Sequence, residues 1–220
     1  TELRRDVEHD LVHSWNASNG SGTRTMGGYQ SFTNVNVVVA GAAGAYTAPS
    51  ATGTGTVGVI ARGSADANLA ALELSDVDDI MQSIYQEGGK ATTMMCSPAN
   101  KRKFSAKAQA ADSNVQRNID DSGKLRQSVE MYDSDFGAIR IVPNYIMGLD
   151  HNTGSGATTN SKDFSCLVYD PQWYNVATLR PLHETEVGQA GDSTIGQIVE
   201  ECTLEVRNPK GCGLIVGLAG

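Results

Sequence analysis

The sequence predicts an α+β protein, and three local patterns along the chain lead to that fold class. Between residues 75 and 109, two helical segments flank the short apolar run "TTMMC". Further on, "SVEMYDSDFGAIRIVPNYIM" alternates in two arms around "DSDFG", which is typical of a β-hairpin. Strand-like segments then follow one another toward the C-terminus. Helices and strands in this order indicate a layered α+β fold.

Composition narrows the classes of function. The chain has 220 residues, 40% of them hydrophobic, and contains no apolar run that approaches a membrane span. Its formal net charge of -8, from 17 basic and 25 acidic residues, argues against direct binding of nucleic acid. A protein that merely encloses a nucleic acid would not need such binding.

The cysteines Cys96, Cys166, Cys202 and Cys212 have no C-x-x-C spacing, and three of them lie in apolar strand-like runs. We therefore expect buried thiols in a reducing compartment, with a disulfide between Cys202 and Cys212 as the alternative.

The first segment predicts an amphipathic helix of about four turns, because Leu3, Val7, Leu11 and Trp15 lie on one stripe at helical spacing. From residue 18 to about residue 68 the chain is rich in Gly, Ala, Ser and Thr. Only "NVNVVVA" within that tract is expected to form a strand.

Two clearer helices follow. In the first, Ser75 is the expected N-cap and Gly88 the expected stop. Its predicted buried face consists of Val77, Ile80, Met81, Ile84 and Tyr85. The second helix begins in "SPANKRKFSAKAQ", with Ser97 as its cap and Pro98 at its first position.

Three strands are expected after the hairpin, in "FSCLVYD", "YNVATLRPL" and "IVEECTLEVRN". In the last of these, Ile198, Cys202, Leu204 and Val206 share one face, and mostly polar residues alternate with them. The polar side of that strand therefore faces solvent or a partner. The turn "NPKG" leads into a final strand, "CGLIVGL".

Residues 53–58, "GTGTVG", match the pattern of a dinucleotide-binding loop, and Glu73 lies at a suitable distance downstream. Such a loop must follow a buried strand and open a helix, whose N-terminal amides then face the phosphate. The "VIARGSADAN" that follows has no helical periodicity. We therefore interpret the motif as part of a flexible loop that binds no nucleotide.

The segment "HDLVH" places His9 and His13 one helical turn apart, as in zinc peptidases, with Asp10 at the position of the glutamate base. Both histidines lie opposite the apolar stripe, whereas a catalytic zinc needs a sheltered cleft and a third ligand. A polar solvated face is therefore the preferred interpretation. A small zinc hydrolase that uses His9 and His13 is kept as an alternative function.

The other polar clusters do not form a catalytic constellation. The acids of "SDVDD" fall in a first helical turn, where they complement the helix dipole. His183, Glu184 and Glu186 could form an acid–base cluster, but no nucleophile motif accompanies them. We therefore expect no enzyme activity, no cofactor and no metal site.

Six segments, in this order, resemble the major capsid protein of tailed bacteriophages: "GSGTRTMGGYQSF", "LSDVDDIMQSIYQEGG", "MMCSPANKRKFS", "YDSDFGAIRIVPNYIM", "VYDPQWYNVATLRPL" and "CTLEVRNPKGCGLI". The resemblance covers nearly the whole chain apart from residues 41–68. It implies the tailed-phage capsid fold, which encapsulins and herpesvirus capsid floor domains share. In that fold a peripheral domain, with a spine helix and long strands, joins an axial domain of helices around a central sheet.

The resemblance also implies a division of this chain into domains. Residues 3–19 would be the spine helix, and residues 176–182 and 195–207 would be long strands joined by a loop at "HETEVGQAGDS". The family's N-terminal arm and extended loop are expected to be absent. The implied ranges are 1–69 and 176–207 for the peripheral domain, and 70–175 and 208–220 for the axial domain.

The function that the resemblance implies is structural. Pentamers and hexamers of this subunit would form an icosahedral head shell that encloses double-stranded DNA without sequence-specific binding. Portal, scaffold or decoration proteins are the implied partners, and no membrane is involved. The expected location is the virion, after assembly in the host bacterial cytoplasm. An encapsulin-like nanocompartment is the alternative within the same fold.

Four charged residues in the matching motifs are predicted to form ion pairs between subunits: Arg24, Arg180, Glu205 and Arg207. Arginine suits this role because its planar guanidinium pairs well with partly buried carboxylates. The alternative is that these residues are solvated surface ions, each worth well under about 1 kcal/mol.

Overall fold

A six-stranded mixed sheet lies at the centre of the fold. The computed structural model describes residues 2–13, 26–33, 35–40, 46–47, 59–60, 70–111, 129–148, 165–191 and 193–218. The helices in these ranges are α1 Glu2–His13, α2 Tyr29–Phe32, α3 Leu74–Gln86 and α4 Pro98–Ala111. The strands are β1 Asn36–Val39, β2 Tyr46–Thr47, β3 Val59–Ile60, β4 Thr93–Cys96, β5 Met131–Ser134, β6 Gly137–Pro143, β7 Ser165–Tyr169, β8 Tyr174–Ala190, β9 Ser193–Val206 and β10 Gly213–Val216.

The strand order in the central sheet is β1-β10-β7-β4-β6-β5. Strand β1 runs parallel to β10, and β4 runs parallel to β6, while the other neighbours are antiparallel. Val38 aligns with Ile215, so two segments that are far apart in the sequence pair in this sheet. Strand β1 lies in the range 1–69 that the resemblance grouped with the peripheral domain, yet it pairs within the central sheet.

Helices α3 and α4 cover one face of the sheet. The buried residues of α3 are Val77, Ile80, Met81 and Ile84, as expected from their spacing. The expected burial of Tyr85 is wrong, because its side chain is 62% exposed and contacts the ring of Phe136. The expected cap is also wrong: Glu73 is the N-cap, and its side chain and that of Asp76 form a capping box. Helix α3 thus begins one residue before Ser75.

Helix α4 begins where the sequence predicts. The Oγ of Ser97 accepts a hydrogen bond from the amide of Asn100 at 3.1 Å, and Pro98 occupies the first helical position. Phe104 is fully buried beneath α4 and meets Tyr132 edge to face, with ring centroids 5.7 Å apart. This aromatic contact joins α4 to strand β5.

Helix α1 covers the opposite face of the sheet, where Val12 packs in a cluster with Met147, Leu167 and Leu214. The predicted helix is confirmed over Glu2–His13. Its predicted stripe is only partly buried, because Leu3 is exposed and Val12 is the buried residue instead. Trp15 lies outside the described residues. No helix in the described part of the chain is long and apolar enough to cross a membrane.

The remaining sequence features are local. The hairpin of β5 and β6 is confirmed, and Gly137, which follows its turn, has a φ of 137° that favours glycine. Residues 53–58, the "GTGTVG" motif, lie outside the described residues. Directly after them, β3 pairs antiparallel with β2. The motif is therefore followed by a strand, whereas a nucleotide-binding loop is followed by a helix. All four cysteines are free thiols, which excludes the Cys202–Cys212 disulfide here.

Candidate subunit-contact surface

Strands β8 and β9 form a long two-stranded hairpin separate from the central sheet. Strand β8 has 17 residues and β9 has 14, and the segment expected to be a loop, "HETEVGQAGDS", is mostly strand. That expectation is wrong because polar residues predominate in the segment. In a two-stranded ribbon both faces are accessible to water, so a strand there does not need an apolar side.

Strand β8 is longer than β9 because the pairing register shifts three times, between Thr178 and Arg180, between Arg180 and His183, and between Glu186 and Gly188. Each shift leaves one additional residue on β8, as in a β-bulge. A large apolar side chain lies within each shift, and all three are exposed: Leu179 is 81% exposed, Leu182 39% and Val187 60%. Because bulges redirect side chains, these residues project away from the regular pairing.

One face of the hairpin is polar. Arg180 and Glu201 are aligned across the two strands, with Nε and Oε2 3.3 Å apart. Glu205 is aligned with Asn175, whose Nδ2 donates to Oε2 at 3.5 Å, and Nε of Arg207 donates to Oε1 of Glu205 at 3.2 Å. The hydrogen bond from Arg207, followed by its positive charge, lowers the pKa of Glu205. All these side chains are solvent-accessible, so they form a ladder of charges along one surface.

Three of the four predicted contact residues are brought together on this polar face: Arg180, Glu205 and Arg207. The fourth, Arg24, lies outside the described residues. The sequence prediction missed Glu201 and Asn175, which are their cross-strand partners. The alternation of polar residues was visible in β9. The partners on β8 could not be identified from the sequence, because bulges shift the pairing register without a recognisable sequence pattern.

The other face of the hairpin is apolar near its base, where Tyr174 pairs with Val206, and solvent-exposed toward its tip. By register Val176 aligns with Leu204, and Leu204 is only 5% exposed, whereas Ile198 is 59% exposed. The predicted shared face of β9 is thereby confirmed. Burial raises the pKa of the Cys202 thiol, with smaller contributions from the negative charges of Glu200 and Asp10.

Three tyrosines anchor the base of the hairpin to the sheet. The ring of Tyr174 lies 4.4 Å from that of Tyr29 and 5.5 Å from that of Tyr169, measured between centroids. The Tyr174 hydroxyl and Oγ1 of Thr33 are hydrogen-bonded at 2.9 Å. Burial raises the pKa of Tyr169 to about 12 and also raises the pKa of Tyr174. These hydroxyls therefore stay protonated at neutral pH, and the contact between the hairpin and the sheet stays uncharged.

Among the side chains that the structure describes, the histidines that suggested chemistry do not converge on a site. His9 lies 3.5 Å from Asp10, between Nδ1 and Oδ1, and the side chain of His13 lies outside the described residues. No group of three His, Cys, Asp or Glu side chains in the described ranges could hold a metal ion. His183 is exposed, and its register places it on the face opposite Glu184 and Glu186, so the three do not converge.

The fold resembles that of several solved structures. The chain is similar to the holo-SrpI encapsulin complex from Synechococcus elongatus PCC 7942, with a TM-score of 0.51 at 10% identity over 99% of this chain and 62% of that chain. It is also similar to Gordonia phage Cozz, with a TM-score of 0.46 at 14% identity over 99% and 60% of the two chains. For the capsid of cyanophage P-SCSP1u the TM-score is 0.44 at 14% identity, over 89% and 55%. The chain thus spans less than two thirds of the length of each of these solved chains.

No curated protein matches the chain in sequence. A family model, that of the SU10 major capsid protein, matches residues 1–219. This match confirms the resemblance drawn from the six sequence segments, and the encapsulin likeness confirms the α+β capsid fold. Because the family model extends over nearly the whole chain, the protein belongs to the SU10 major capsid protein family.

Proposed function

We propose that this protein is a structural subunit of the icosahedral head shell of a tailed phage. Membership of a major capsid protein family supports the role. The structural observation that carries it is the β8–β9 hairpin, which exposes Leu179, Leu182 and Val187 away from the core. A lone two-stranded ribbon is marginally stable in water, and exposed apolar side chains favour association. Neighbouring subunits would supply the missing cover.

Many weak contacts are sufficient for such a shell. Identical subunits that meet head to tail close into rings, and pentamers and hexamers of this kind close into an icosahedral particle. A subunit held by several neighbours benefits from high effective concentration, so each single interface can be modest. Modest interfaces are consistent with the hairpin, where the exposed apolar surface within the bulges comes from three side chains.

We assign the spine helix and the hairpin, except for the first two residues of β8, to a peripheral domain, and the sheet with α3 and α4 to an axial domain. The proposed peripheral ranges are 1–69 and 176–207, and the axial ranges are 70–175 and 208–220. Strand β1 is an exception within the first range, because its pairing with β10 supports assigning it to the axial domain. The Tyr29–Tyr174 contact would then lie at the joint between domains.

The polar face of the hairpin is proposed as an intersubunit surface. Arg180 and Arg207 already pair with Glu201 and Glu205 within the chain. In the shell these exposed groups would exchange or share partners with a neighbour, where partial desolvation strengthens arginine–carboxylate pairs. Arg24 is proposed for the same role from its position in the matching sequence motif.

The shell would enclose double-stranded DNA without gripping it. A net charge of -8 supports this, because the average surface of an acidic protein repels the phosphates of DNA. Portal, scaffold and decoration proteins are the partners that a head of this kind would require. The proposed location is the virion capsid, following assembly in the host bacterial cytoplasm, and no catalysis is proposed.

An encapsulin-like shell is the second candidate. The likeness to the SrpI encapsulin, with a TM-score of 0.51, supports it on the ground of fold. The two candidates differ in what the particle contains. A virion head would hold nucleic acid, whereas a nanocompartment would hold an enzyme.

Negative-stain microscopy of the full-length protein after expression tests the proposal. We expect hollow particles of uniform diameter, and a monomeric protein at high concentration would overturn the shell function. Nucleic acid in particles purified from infected cells would favour the head shell. A packaged enzyme in place of nucleic acid would favour the nanocompartment.

A further inference from the structure

Helices α3 and α4 carry opposite charges although they lie side by side on the same face of the sheet. Helix α3 contains three acidic residues and no basic residue, in the sequence LSDVDDIMQSIYQ. Helix α4 contains four basic residues and no acidic residue, in PANKRKFSAKAQAA. Both contribute to one core cluster, through Ile80 from α3 and Phe104 from α4. The segregation of charge is therefore a property of their outer surfaces.

Part of this charge is engaged in contacts within the chain. The Nζ of Lys107 donates to Oε1 of Glu73, which connects the end of α4 to the start of α3. Lys101 donates to the carbonyl of Ile141 at 3.2 Å. Asp79 and Arg102 are both exposed, and within the described ranges no ion pair joins them to each other or to another residue. These two residues are available to a partner.

The acidic side of α3 also carries exposed aromatic surface. Tyr85 is exposed and lies 5.8 Å from the ring of Phe136, which belongs to the turn between β5 and β6. Asp78 and Tyr85 are seven positions apart and so lie on the same side of the helix. Asp135 adjoins Phe136, and its charge, like that of Asp78, acts on Tyr132. Asp79 follows Asp78 on the outermost side of α3 and is exposed. We call Asp78, Tyr85, Asp135 and Phe136, together with the adjoining Asp79, the acidic–aromatic patch.

We propose that the acidic–aromatic patch of one copy docks against the basic helix α4 of a second copy, in a head-to-tail contact around the capsomer ring. The inference rests on the proposed self-assembly and names a contact within it. Charge complementarity supports a second copy as the occupant. Two proteins of net charge -8 repel each other on average, so association is favoured where a basic surface such as α4 meets an acidic one.

The character of the patch also fits a protein partner. Tyrosine and arginine are enriched where protein interfaces have their strongest contacts, and Arg102 is the exposed arginine of α4. A head-to-tail arrangement brings two different surfaces of each subunit into contact, which matches the opposite charges of α3 and α4. A two-fold contact centred on α3 would instead place acid against acid.

Charge reversal of the full-length protein tests the contact. Asp79→Lys and Arg102→Glu each place like charges together, and each should lower the yield of assembled particles roughly tenfold or more. The double variant D79K/R102E restores opposite charges and should recover most of the wild-type yield. Because both side chains are exposed, thermal melts of the dissociated subunits should change little. Particle yield is measured by light scattering and microscopy.

The outcomes separate this contact from the shell function itself. If the wild-type protein forms no particles, the proposed function fails. If the wild type assembles and D79K assembles equally well, the contact is wrong while the shell function stands. A loss with R102E alone, accompanied by less nucleic acid in the particles, would assign α4 to nucleic acid and overturn the proposal.

A second measurement covers the case in which a reversed variant fails to fold. The neutral pair Asp79→Asn and Arg102→Gln removes the same attraction with smaller changes in shape. Wild-type assembly should weaken as sodium chloride is raised from about 0.05 to 0.5 M, because salt screens the charges. The neutral double variant should lose much of that sensitivity, and an unchanged sensitivity would overturn the contact.

Discussion

Tyr132 donates its hydroxyl hydrogen toward the carboxylate of Asp78, whose two oxygens both lie 3.0 Å from the phenolic oxygen. This contact ties edge strand β5 to helix α3. Burial, the hydrogen bond to Asp78 and the nearby negative charges raise the pKa of Tyr132 to about 12. The attachment of β5 to α3 therefore depends on the protonation of the Tyr132 hydroxyl.

The first prediction is a loss of stability at high pH. The folded pKa of Tyr132 lies above the unfolded value of about 10, so its contribution is complete below pH 10 and disappears as pH rises through about 12. Deprotonation would place a phenolate beside the Asp78 carboxylate. We expect the free energy of unfolding to fall over this range in urea titrations of the dissociated subunit.

The Tyr132→Phe variant isolates this effect from other groups that titrate in the same range. It should lose about 1 kcal/mol at neutral pH, since a net hydrogen bond contributes about that amount. Its unfolding free energy should then fall less steeply than that of the wild type between pH 10 and pH 12. Equal slopes for the two proteins would show that the Tyr132–Asp78 pair does not carry the dependence.

The second prediction compares two serines that look alike in sequence. Ser97 accepts a hydrogen bond from the amide of Asn100 and caps α4, so Ser97→Ala should lower the unfolding free energy by about 1 kcal/mol. Ser75 lies inside α3, after its true cap Glu73, so Ser75→Ala should be close to neutral. Urea unfolding of the subunit measures both, and a similar loss from each would contradict the capping geometry.

The sequence could predict most of the local structure, and these serines show why. Periodicity and capping residues are local signals, so α3, α4 and the β5–β6 hairpin follow from them. The start of α3 was missed because Glu73 with Asp76 forms a less common capping box than one led by serine. Pairing of β1 with β10 joins segments about 180 positions apart, and no local pattern indicates such a contact.

The contact surface was predictable only in part. Alternation marks the two faces of β9, and the charged residues Arg180, Glu205 and Arg207 lie on one face as expected for a shared surface. Leu179 could not be identified as exposed, because its exposure follows from a register shift. The apolar side chains within the bulges are therefore features that only the three-dimensional structure reveals.

The third prediction concerns two glycines with different surroundings. A Cβ on Gly89 would lie 2.6 Å from the Cα of Gly211 and 2.8 Å from Cγ2 of Ile84, which is closer than real contacts allow. A Cβ on Gly196 would meet only Oε1 of Glu184, at an ordinary 3.6 Å. Gly89→Ala should therefore destabilise the subunit by about 1–3 kcal/mol, whereas Gly196→Ala should be neutral or nearly so. Thermal melts that shift equally for the two would contradict this packing.

The fourth prediction separates folding from assembly on the hairpin, with two leucines as a matched pair. Leu204 is 5% exposed and supports the base of the hairpin, so Leu204→Ala should lower the unfolding free energy of the subunit by about 2–5 kcal/mol. Leu179 is 81% exposed, so Leu179→Ala should change the subunit by less than about 0.5 kcal/mol.

In assembly the effect of Leu179→Ala should be large. If a neighbouring subunit covers Leu179, its loss removes about 1.5–3 kcal/mol of apolar burial, and the protein concentration required for assembly rises roughly tenfold or more. Light scattering across a dilution series measures that concentration. Assembly of L179A at the wild-type concentration would show that Leu179 stays solvated in the particle, because a buried leucine cannot be truncated without weakening the contact that covers it.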